Sequence, residues 1–407
     1  MHSPRRVAIT GLGALAAPGN NVPSLWRAIV AGNSGIERVD TKRYSLARVH
    51  GFDPDAHFAK RELAMLDRVT QLSLVAAREA LGSGAFGAHM SPTAAASGLD
   101  PVRCGCIYAA GLGHHTLDDS YQAFYGNHAE RLHPFLVPRG MPSAPASQLS
   151  MAFGLQGPTF ATASACASSA HALGIAFHFV RSGLLDLAVS GGAEASLVPG
   201  MLKAWEGLHV MTSDTCRPFS ADRSGLVLGE GAAVLVLEAW DVALQRGVRP
   251  LAELIGFGMG ADAADITKPD AAGAARAMRA ALADAELDPA AVDYVNAHGT
   301  GTRLNDACES AALRDIYGER LAALPVSSSK GQIGHTLNAA GALEAVITTL
   351  ALREGQLPPT VGHRQVDPDC VPDCVPNQTR AQPVQVAMSN SFAFGGLNAV
   401  LLLRAVQ

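Results

Sequence analysis

Charged side chains are scarce in this chain. Asp, Glu, Lys and Arg make up 16% of its 407 residues, against about 25% in a typical soluble domain. Aromatic residues are also few, at 5%. The net charge of −5 at pH 7 provides no basic surface for nucleic acid or for an anionic membrane. Such low charge indicates several buried layers and is compatible with a large subunit interface.

No Asp, Glu, Lys or Arg occurs between Gly140 and Val180. A membrane-spanning helix needs about 20 predominantly apolar residues in a row, and prolines, histidines and many Ser and Thr interrupt this stretch. We interpret it as buried interior. At the N-terminus, MHSPRRVAITGLGALAAPG has the two arginines of a secretion signal, but glycine and proline break its apolar run and no clear cleavage site follows. We therefore expect a cytoplasmic protein with no membrane span.

The cysteines are odd in number and irregularly spaced, which does not predict a disulfide framework. Cys370 and Cys374 lie in a Pro/Asp-rich segment without the second pair that a zinc site needs. Apart from Cys166, we interpret the cysteines as ordinary thiols. The seven are Cys104, Cys106, Cys166, Cys216, Cys308, Cys370 and Cys374.

Strand-like runs alternate with helix-like runs, a pattern typical of α/β layering. The first strand is predicted at Arg6–Thr10 with a turn at Gly11–Gly13. The other predicted strands are 103–111, 184–192, 232–239, 292–299 and 324–330, with a terminal hairpin of 384–390 and 399–404. The predicted helices are 67–81, 166–180, 271–285, 306–317 and 339–352.

Two long apolar helices follow small-residue loops, one starting at Cys166 and one near Ala339. Each ends at a glycine, and each is apolar on nearly every face, which indicates burial all round. This weak internal repeat predicts two similar halves, roughly 1–250 and 251–407, with the two helices packed back to back.

The stretch TASACASSAHALGIA places Cys166 at the predicted tip of a helix, among small residues. Free N–H groups and the helix dipole lower a thiol's pKa, and the N–H of Cys166 could hold a developing oxyanion. The sequence therefore makes Cys166 a candidate nucleophile. The alternative is a packed structural thiol.

Two histidines lie in glycine-containing loops between a strand and a helix. His298 is in NAHGTGT, and His335 is in SSSKGQIGHTLNAAG, five residues after Lys330. Each could be an ordinary histidine, and Lys330 could be a surface lysine. Their repeated placement at strand-to-helix crossovers favours a shared site with Cys166.

These segments together resemble a β-ketoacyl-acyl carrier protein synthase. The resemblance rests on SACASS, NAHGTGT, KGQIGH and NSFAFGGLN (390–398), in order along the chain, with CRPFSADRSGLVLGEGAAVLVLE (216–238) also typical. It implies a thiolase-like α/β fold: a five-layer α-β-α-β-α stack with two mixed five-stranded sheets from duplicated halves.

The resemblance also implies a reaction, the decarboxylative Claisen condensation. Cys166 would take an acyl group from a carrier protein, and malonyl-acyl carrier protein would then lose carbon dioxide. The resulting enolate would attack acyl-Cys166, while His298 and His335 donate N–H groups to its oxygen. No metal or cofactor is needed.

Further roles follow from the same resemblance. Lys330 and Glu309 would support the histidines, whereas Asp306 would cap its helix. The N–H groups of Cys166 and Phe394 would form the oxyanion hole. Phe394 would gate the malonyl site, and Phe392 and Leu112 would line the gate and the acyl pocket. Ala393 and Leu397 replace a usual glycine and threonine, which puts the gating rate and chain-length preference in question.

Partners follow from the resemblance as well. Acyl carriers are acidic, so basic residues should dock them; the candidates are Lys60, Arg61 and Arg68, with Arg131, Arg139 and Lys203. We expect a homodimer, or a heterodimer with a chain-length factor, acting in fatty acid or in specialised polyketide or polyene synthesis. The alternatives are a non-catalytic partner subunit and a dinucleotide-binding oxidoreductase, the latter resting only on GLGALA (11–16).

Overall fold

The computed structural model describes residues 4–39, 44–82 and 94–406. The strands are β1 (Val7–Ala16), β2 (Ile36–Arg38), β3 (Ser45–Ala47), β4 (Cys104–Ala110), β5 (Thr159–Thr162), β6 (Leu187–Glu194), β7 (Leu228–Gly229), β8 (Gly231–Ala239), β9 (Ala252–Ala261), β10 (Tyr294–Asn296), β11 (Val326–Ser327), β12 (Gln356–Leu357), β13 (Arg380–Ala381), β14 (Val386–Ala393) and β15 (Leu397–Ala405).

The α-helices alternate with these strands along the chain. They are α1 (Val22–Val30), α2 (Lys60–Leu63), α3 (Arg68–Ala80), α4 (His114–Tyr121), α5 (Leu136–Gly140), α6 (Ala144–Phe153), α7 (Ser168–Arg181), α8 (Pro199–Gly207), α9 (Trp240–Gln245), α10 (Ala271–Asp284), α11 (Arg303–Tyr317), α12 (Lys330–Ile333) and α13 (Ala340–Glu354). None of the helices in the described ranges is long and apolar enough to cross a membrane.

The main strands pair in the order β11-β10-β14-β15-β9-β1-β8-β6-β4-β5. The array divides into two mixed five-stranded sheets. In each sheet, the strands that come first to fifth along the chain lie in the spatial order 3-2-4-5-1. The fifth strand runs antiparallel to both of its neighbours, the first and the fourth, and the second, third and fourth strands run parallel to one another. The two sheets therefore share one topology, which is what a chain of two similar halves, roughly 1–250 and 251–407, would have.

The two sheets meet edge to edge, because β1 pairs with β9 as well as with β8. Val7 to Ile9 lie opposite Leu254 to Ala252 in antiparallel register. The joint is only three residue pairs long.

Helices cover and separate the sheets to give five layers. α3 and α6 pack on the outer face of the first sheet, α10 and α11 on that of the second, and α7 and α13 lie between the sheets and touch both. Each interface has its own apolar cluster. Cys104 and Cys106 both face the first outer cluster. The predicted five-layer architecture is therefore confirmed.

The two middle helices contact each other directly, as predicted. The Ser169 hydroxyl of α7 accepts the N–H of Ala342 at 2.9 Å, and a Cβ on Gly341 would lie 2.9 Å from the Ala170 nitrogen. α13 is buried on every face from Ala340 to Leu352. α7 is not, because His178 is exposed.

The predicted turn at Gly11–Gly13 is wrong, since β1 continues through it to Ala16. The glycines serve packing instead. A Cβ on Gly11 would lie 2.1 Å from the Ala80 carbonyl oxygen, and one on Gly13 would lie 1.8 Å from that of Ala76. Because glycine has no side chain, α3 can approach β1 closely enough to bury the apolar face of the helix.

Replacing Gly13 by alanine should lower the free energy of unfolding by about 1–3 kcal/mol, because the strand and α3 must move apart. Urea unfolding would measure the loss. Gly207→Ala is the matched control, since a Cβ there meets no atom within 4 Å. Equal stability of the Gly13 variant and the native protein would contradict the packing role.

The uncharged stretch is buried only in part. Met151 is 67% exposed and Phe160, on the edge strand β5, is 37% exposed. The interpretation of the whole stretch as interior is therefore wrong. The apolar residues near β5 lie at the surface of the single protomer, where a second subunit could cover them.

Candidate active site

Cys166 lies in a single 3₁₀ turn, Ala165–Ala167, that leads into α7. Ala165 has a φ of +49°, a left-handed conformation that costs a non-glycine residue energy and is retained where surrounding structure fixes it. The backbone N–H groups of Phe394 and of Cys166 itself lie close enough to the sulfur to favour its charged form. The site thus has a buried thiol with two donors beside it.

The pKa of the Cys166 thiol is raised to about 11, chiefly by burial. The Lys330 charge and the two N–H groups act to lower the pKa, whereas Glu194 acts to raise it. The expectation of a lowered pKa at a helix tip is therefore wrong in direction. Desolvation of the thiolate outweighs the donors at this depth.

The two histidines face each other beside the thiol. His298 follows β10, and His335 follows α12. Their ring centroids are 5.2 Å apart and their planes meet at 83°, and both side chains are at most 2% exposed. Phe392 packs against the His298 ring with a centroid distance of 6.2 Å.

Glu309 fixes the loop that carries His298. Its carboxylate accepts the N–H groups of His298 and Gly299 at 2.9 and 2.8 Å, and the Asn390 amide at 3.0 Å. Burial raises the pKa of Glu309 to about 7 against the effect of these donors. Asp306 lies near it and accepts the Phe219 and Gly301 N–H groups, which agrees with a structural role.

Lys330 is fully buried between the histidines and α13. Its Nζ lies 3.4 Å from Nδ1 of His298 and forms an ion pair with Glu344. Since Lys330 can only donate to Nδ1, the proton of a neutral His298 belongs on Nε2. Burial raises the pKa of Glu344 to about 7, and Lys330 opposes that rise.

Glu344 is a site residue that the sequence analysis missed. The signal was present, because it is the one acid within the apolar run Ala340–Leu352. A single acid in an otherwise apolar buried helix needs a basic or hydrogen-bonding partner, and Lys330 was already a candidate site residue.

Both imidazoles are held in the neutral form. Burial, and next the Lys330 charge, keep the pKa of His298 and that of His335 well below 6.5. A neutral ring is a hydrogen-bond donor through one nitrogen without the cost of burying a charge. The pair is therefore suited to stabilising negative charge on a substrate oxygen.

The depressed pKa values of the two histidines predict a specific pH dependence of stability. As pH falls below about 6.5, histidines in the unfolded chain take up protons that His298 and His335 do not take up in the folded state, and each should then lower the free energy of unfolding by up to about 1.4 kcal/mol per pH unit. Glu309 and Glu344, whose pKa values are raised to about 7, take up protons in the folded state over the same range and oppose this loss. Urea unfolding at pH 7.0, 6.0 and 5.5 should therefore show His335→Asn losing less stability, or gaining more, than the native protein as pH falls, while the surface variant His57→Asn follows the native slope. An unchanged slope in His335→Asn would refute this prediction.

A cavity of about 300 Å³ opens onto this group. Cys166, His298, His335, Phe392 and Phe394 all line it. Nearer the surface, its wall includes Trp205, Thr300, Thr302, Lys268 and Arg303. One small thioester entering here would reach the sulfur and both rings together.

Phe394 occupies the turn between β14 and β15, as the predicted hairpin requires. Gly395 and Gly396 follow it with φ values of +82° and +67°. Gly395 donates its N–H to the Ile266 carbonyl at 2.7 Å. A Cβ on Gly396 would lie 2.6 Å from Cβ of Asp262, so this position needs glycine both for its conformation and for its neighbour.

Leu112 does not line the cavity that holds Cys166, and 43% of the residue is exposed. It follows the end of β4. A role in an acyl pocket stays a prediction for an assembly in which another subunit covers this surface.

The basic candidates for carrier docking differ from one another. Lys60 and Arg61 are exposed on α2. Arg68 is half-buried, and its guanidinium binds both carboxylate oxygens of Glu230 at 2.7–2.8 Å. Its charge is thereby neutralised, so we leave Arg68 out of the docking surface. Lys203 pairs with Glu206 at 2.7 Å.

In the described ranges, no group of three or more His, Cys, Asp or Glu side chains is arranged to hold a metal ion. A thiol, two backbone donors and two neutral imidazoles in a five-layer thiolase-like fold define a class of enzyme that transfers acyl groups through a cysteine thioester.

Comparison with known proteins identifies the family. The β-ketoacyl synthase N-terminal domain matches residues 4–243, and the β-ketoacyl synthase C-terminal domain matches residues 251–364. The chain belongs to the β-ketoacyl synthase family.

Two curated relatives extend over the whole chain. Nodulation protein E of Rhizobium leguminosarum bv. trifolii is 42% identical over 410 residues, which is 99% of this chain and 100% of that protein. The 3-oxoacyl-[acyl-carrier-protein] synthase 2 of Staphylococcus aureus (strain COL) is 35% identical over 421 residues and is covered completely, as is this chain.

Solved structures agree with the fold. A β-ketoacyl synthase from Burkholderia phymatum STM815 superposes with a TM-score of 0.90 at 34% identity, over 99% of this chain and 100% of that one. The ishigamide ketosynthase/chain length factor gives 0.90 at 32% identity. The type II polyketide ketosynthase AntDE, in complex with its acyl-carrier protein AntF, gives 0.89 at 30% identity. The last two comparisons cover both chains fully.

Proposed function

We propose that this protein is a 3-oxoacyl-[acyl-carrier-protein] synthase in which Cys166 is the nucleophile and His298 and His335 bind the enolate oxygen. The observation that carries the proposal is a single cavity lined by the thiol and both neutral rings. An oxidoreductase is not favoured, because GLGALA lies inside strand β1 rather than in a phosphate-binding turn before a helix.

The first half-reaction loads the enzyme. The Cys166 sulfur attacks the carbonyl carbon of an acyl-carrier thioester, the carbon–sulfur bond to the carrier breaks, and the thiol proton ends on the departing carrier thiol. The N–H groups of Cys166 and Phe394 hold the oxyanion of the tetrahedral intermediate. The high pKa of Cys166 means that the proton leaves only as the new bond forms.

The second half-reaction joins two carbons. Malonyl-carrier loses carbon dioxide, and the electron pair of the broken bond forms an enolate whose oxygen accepts N–H groups from His298 and His335. The enolate carbon attacks the acyl carbonyl, the carbon–sulfur bond to Cys166 breaks, and the departing sulfur takes a proton from water to restore the thiol. Lys330 keeps the proton of His298 on Nε2 from the Nδ1 side, and Glu309 fixes the backbone of the loop.

An acidic carrier protein is the expected partner, as AntF is for AntDE. Exposed Lys60 and Arg61, with Arg303 and Lys268 beside the cavity, supply positive charge for it. We place the reaction in the cytoplasm, as an inference from the likeness to 3-oxoacyl-[acyl-carrier-protein] synthase 2.

A second subunit is also part of the proposal. Strand β5 forms one edge of the sheet array, and the part of the chain from Tyr121 to Phe160 exposes several large apolar side chains. They include Tyr121, Phe124, Tyr125, Val137, Met151 and Phe160. An open strand edge and exposed apolar side chains suit a dimer, either of two identical chains or with a ketosynthase-like partner as in the ishigamide complex.

The pathway has two candidates, ordinary fatty acid elongation and a specialised lipid or polyketide route. The 42% identity to Nodulation protein E, against 35% to the Staphylococcus aureus synthase, favours the specialised route. Ala393 and Leu397, which depart from the usual gate sequence, favour it as well. A purely non-catalytic partner subunit is not favoured, because Cys166, His298 and His335 share one cavity.

The test is direct. The purified chain is charged with acyl-carrier substrates of several lengths, malonyl-carrier is added, and the masses of protein and products are measured. We expect an acyl mass on the peptide that contains Cys166, followed by a 3-oxoacyl-carrier two carbons longer. Absence of both from a folded protein, with every chain length tried, would overturn the proposal.

A further inference from the structure

The turn that carries Cys166 is closed by one side chain, that of Ser168. The Ser168 hydroxyl donates to the Ala165 carbonyl oxygen at 2.6 Å and accepts the N–H of Ser164 at 2.8 Å. One oxygen atom thus joins the two ends of the short segment that leads into the nucleophile. Ser168 is fully buried, so both hydrogen bonds are shielded from competition with bulk water.

The segment that this hydroxyl closes is strained. Ala165 has a φ of +49°, a left-handed conformation in which the Cβ of a non-glycine residue crowds the following carbonyl oxygen. Such a conformation persists only where neighbouring groups hold it. The Ala165 carbonyl also accepts the backbone N–H of Ser168, but that bond holds one end of the segment. The hydroxyl takes the Ser164 N–H as well and so holds the other end.

The hydroxyl itself is held in place by the start of α7. Ser168 is the first residue of that helix, and its carbonyl accepts the Thr162 hydroxyl at 3.0 Å. The next residue, Ser169, accepts the N–H of Ala342 at 2.9 Å and ties this end of α7 to α13. The Ser168 side chain therefore projects from a part of the helix that is anchored on two sides.

The bond to the Ala165 carbonyl also sets the direction of an N–H group. The C=O of Ala165 and the N–H of Cys166 belong to the same planar peptide group, in which the oxygen and the hydrogen point in opposite directions. Because Ser168 fixes the oxygen, it also fixes the direction in which the Cys166 N–H points. In the proposed mechanism, this N–H binds the oxyanion of the acyl-transfer step.

We propose that Ser168 is a positioning residue: its hydroxyl holds the Ala165–Cys166 peptide group so that the Cys166 N–H stays directed at the oxyanion formed when Cys166 is acylated. This inference rests on the proposed condensing activity. It assigns the hydroxyl to the steps in which an oxyanion forms on the acyl carbonyl. It does not assign the hydroxyl to the loss of carbon dioxide, in which His298 and His335 bind the enolate oxygen.

Three reactions at this site separate a positioning role from a general effect on the fold. Acylation of Cys166 forms an oxyanion on the acyl carbonyl. Alkylation of the same sulfur by iodoacetamide forms a carbon–sulfur bond and releases iodide, with no oxyanion. Decarboxylation of malonyl-carrier places its charge on an oxygen that His298 and His335 bind. Loss of the Ser168 hydroxyl should slow the first reaction selectively, whereas a disordered turn would slow all three.

Ser168→Ala should slow acylation of Cys166 by about 10- to 100-fold. Each hydrogen bond that is lost corresponds to about a two- to twelve-fold change in an equilibrium, and complete loss of an oxyanion donor, at about 10²–10³-fold, sets the upper limit. Alkylation by iodoacetamide and release of carbon dioxide should stay within about threefold of the native rates, because neither uses the Cys166 N–H. Ser168→Thr keeps the hydroxyl and should restore most of the acylation rate.

The experiment treats the full-length protein with acyl-carrier, with iodoacetamide and with carboxyl-labelled malonyl-carrier in separate reactions. Protein mass at short times, with the modified residue located by fragmentation, measures acylation and alkylation of Cys166, and labelled carbon dioxide measures decarboxylation. Ser169→Ala is the matched control. It also removes a buried serine hydroxyl from α7, but that hydroxyl binds the N–H of Ala342 on α13. The control should keep the native ratio of acylation to alkylation.

A second variant separates backbone strain from the direction of the N–H group. In Ser168→Ala/Ala165→Gly, glycine occupies the left-handed position without strain. Urea unfolding should show that this variant recovers stability that Ser168→Ala has lost. Acylation should stay at least about threefold below the native rate, because no hydroxyl holds the peptide group. The double variant also provides the test if Ser168→Ala alone fails to fold.

Three results would overturn the inference. The first is a native ratio of acylation to alkylation in folded Ser168→Ala. The second is an equal fall of acylation, alkylation and carbon dioxide release, which a merely structural defect would give. The third is full recovery of acylation by Ser168→Ala/Ala165→Gly, since the hydroxyl would then only offset strain. A native protein that iodoacetamide alkylates at Cys166 but that no acyl-carrier acylates would refute the proposed function instead.

Discussion

Replacing Cys166 by alanine should remove the acyl-enzyme and, with it, condensation. Among the residues that the structure describes, no other thiol lines the cavity, so no neighbouring thiol can take over the acyl chain. Loss of a nucleophile of this kind costs on the order of 10³-fold or more in rate. Intact-protein mass after incubation with acyl-carrier should show the acyl increment on the native chain and none on Cys166→Ala.

The matched control is Cys308→Ala. Cys308 lies on α11 and is only partly buried, and it does not line the cavity. This variant should acylate and condense like the native protein. Condensation at the native rate by a folded Cys166→Ala would show that the sulfur is not the acyl acceptor.

Replacing either histidine by alanine should stop malonyl decarboxylation while Cys166 can still be acylated. Each ring supplies one donor to the enolate oxygen, and loss of one such donor costs about 10²–10³-fold. The two losses should differ, because Lys330 Nζ lies 3.4 Å from Nδ1 of His298 and so fixes the proton of that ring. Release of carbon dioxide from malonyl-carrier measures decarboxylation, and acyl mass on the protein measures acylation of Cys166.

A surface histidine provides the control for these variants. His57→Ala should leave both half-reactions unchanged, because His57 is exposed near α2. Normal carbon dioxide release by His298→Ala or His335→Ala would remove that ring from enolate stabilisation. Failure of both variants to acylate would place the histidines in the first half-reaction as well.

The sequence predicted the parts of this protein that are local. Cys166, His298, Lys330 and His335 each stand in a short loop next to a strand or helix, so small-residue patterns and chain order revealed them. The α/β layering and the two apolar helices followed from periodicity. The neutral state of the imidazoles was assumed from the chemistry and is now explained by burial and by Lys330.

The features that the sequence did not predict depend on contacts between segments that are far apart in the chain, and a single sequence does not show such contacts. Arg68 was assigned to carrier docking because its partner, Glu230, is 162 positions away. Gly11 and Gly13 were assigned to a turn because their neighbour in space, α3, was not yet placed. The thiol's pKa was predicted in the wrong direction because depth of burial is a property of the assembled layers.

The raised pKa of Cys166 has a consequence for the lifetime of the enzyme. Peroxides and electrophiles react with thiolate rather than thiol, and at neutral pH a group with a pKa of about 11 spends only about one part in ten thousand of its time as thiolate. Between turnovers the sulfur therefore reacts slowly with peroxides and electrophiles, although it lines a cavity that they can enter. Inactivation of the free enzyme by peroxide should therefore be slow.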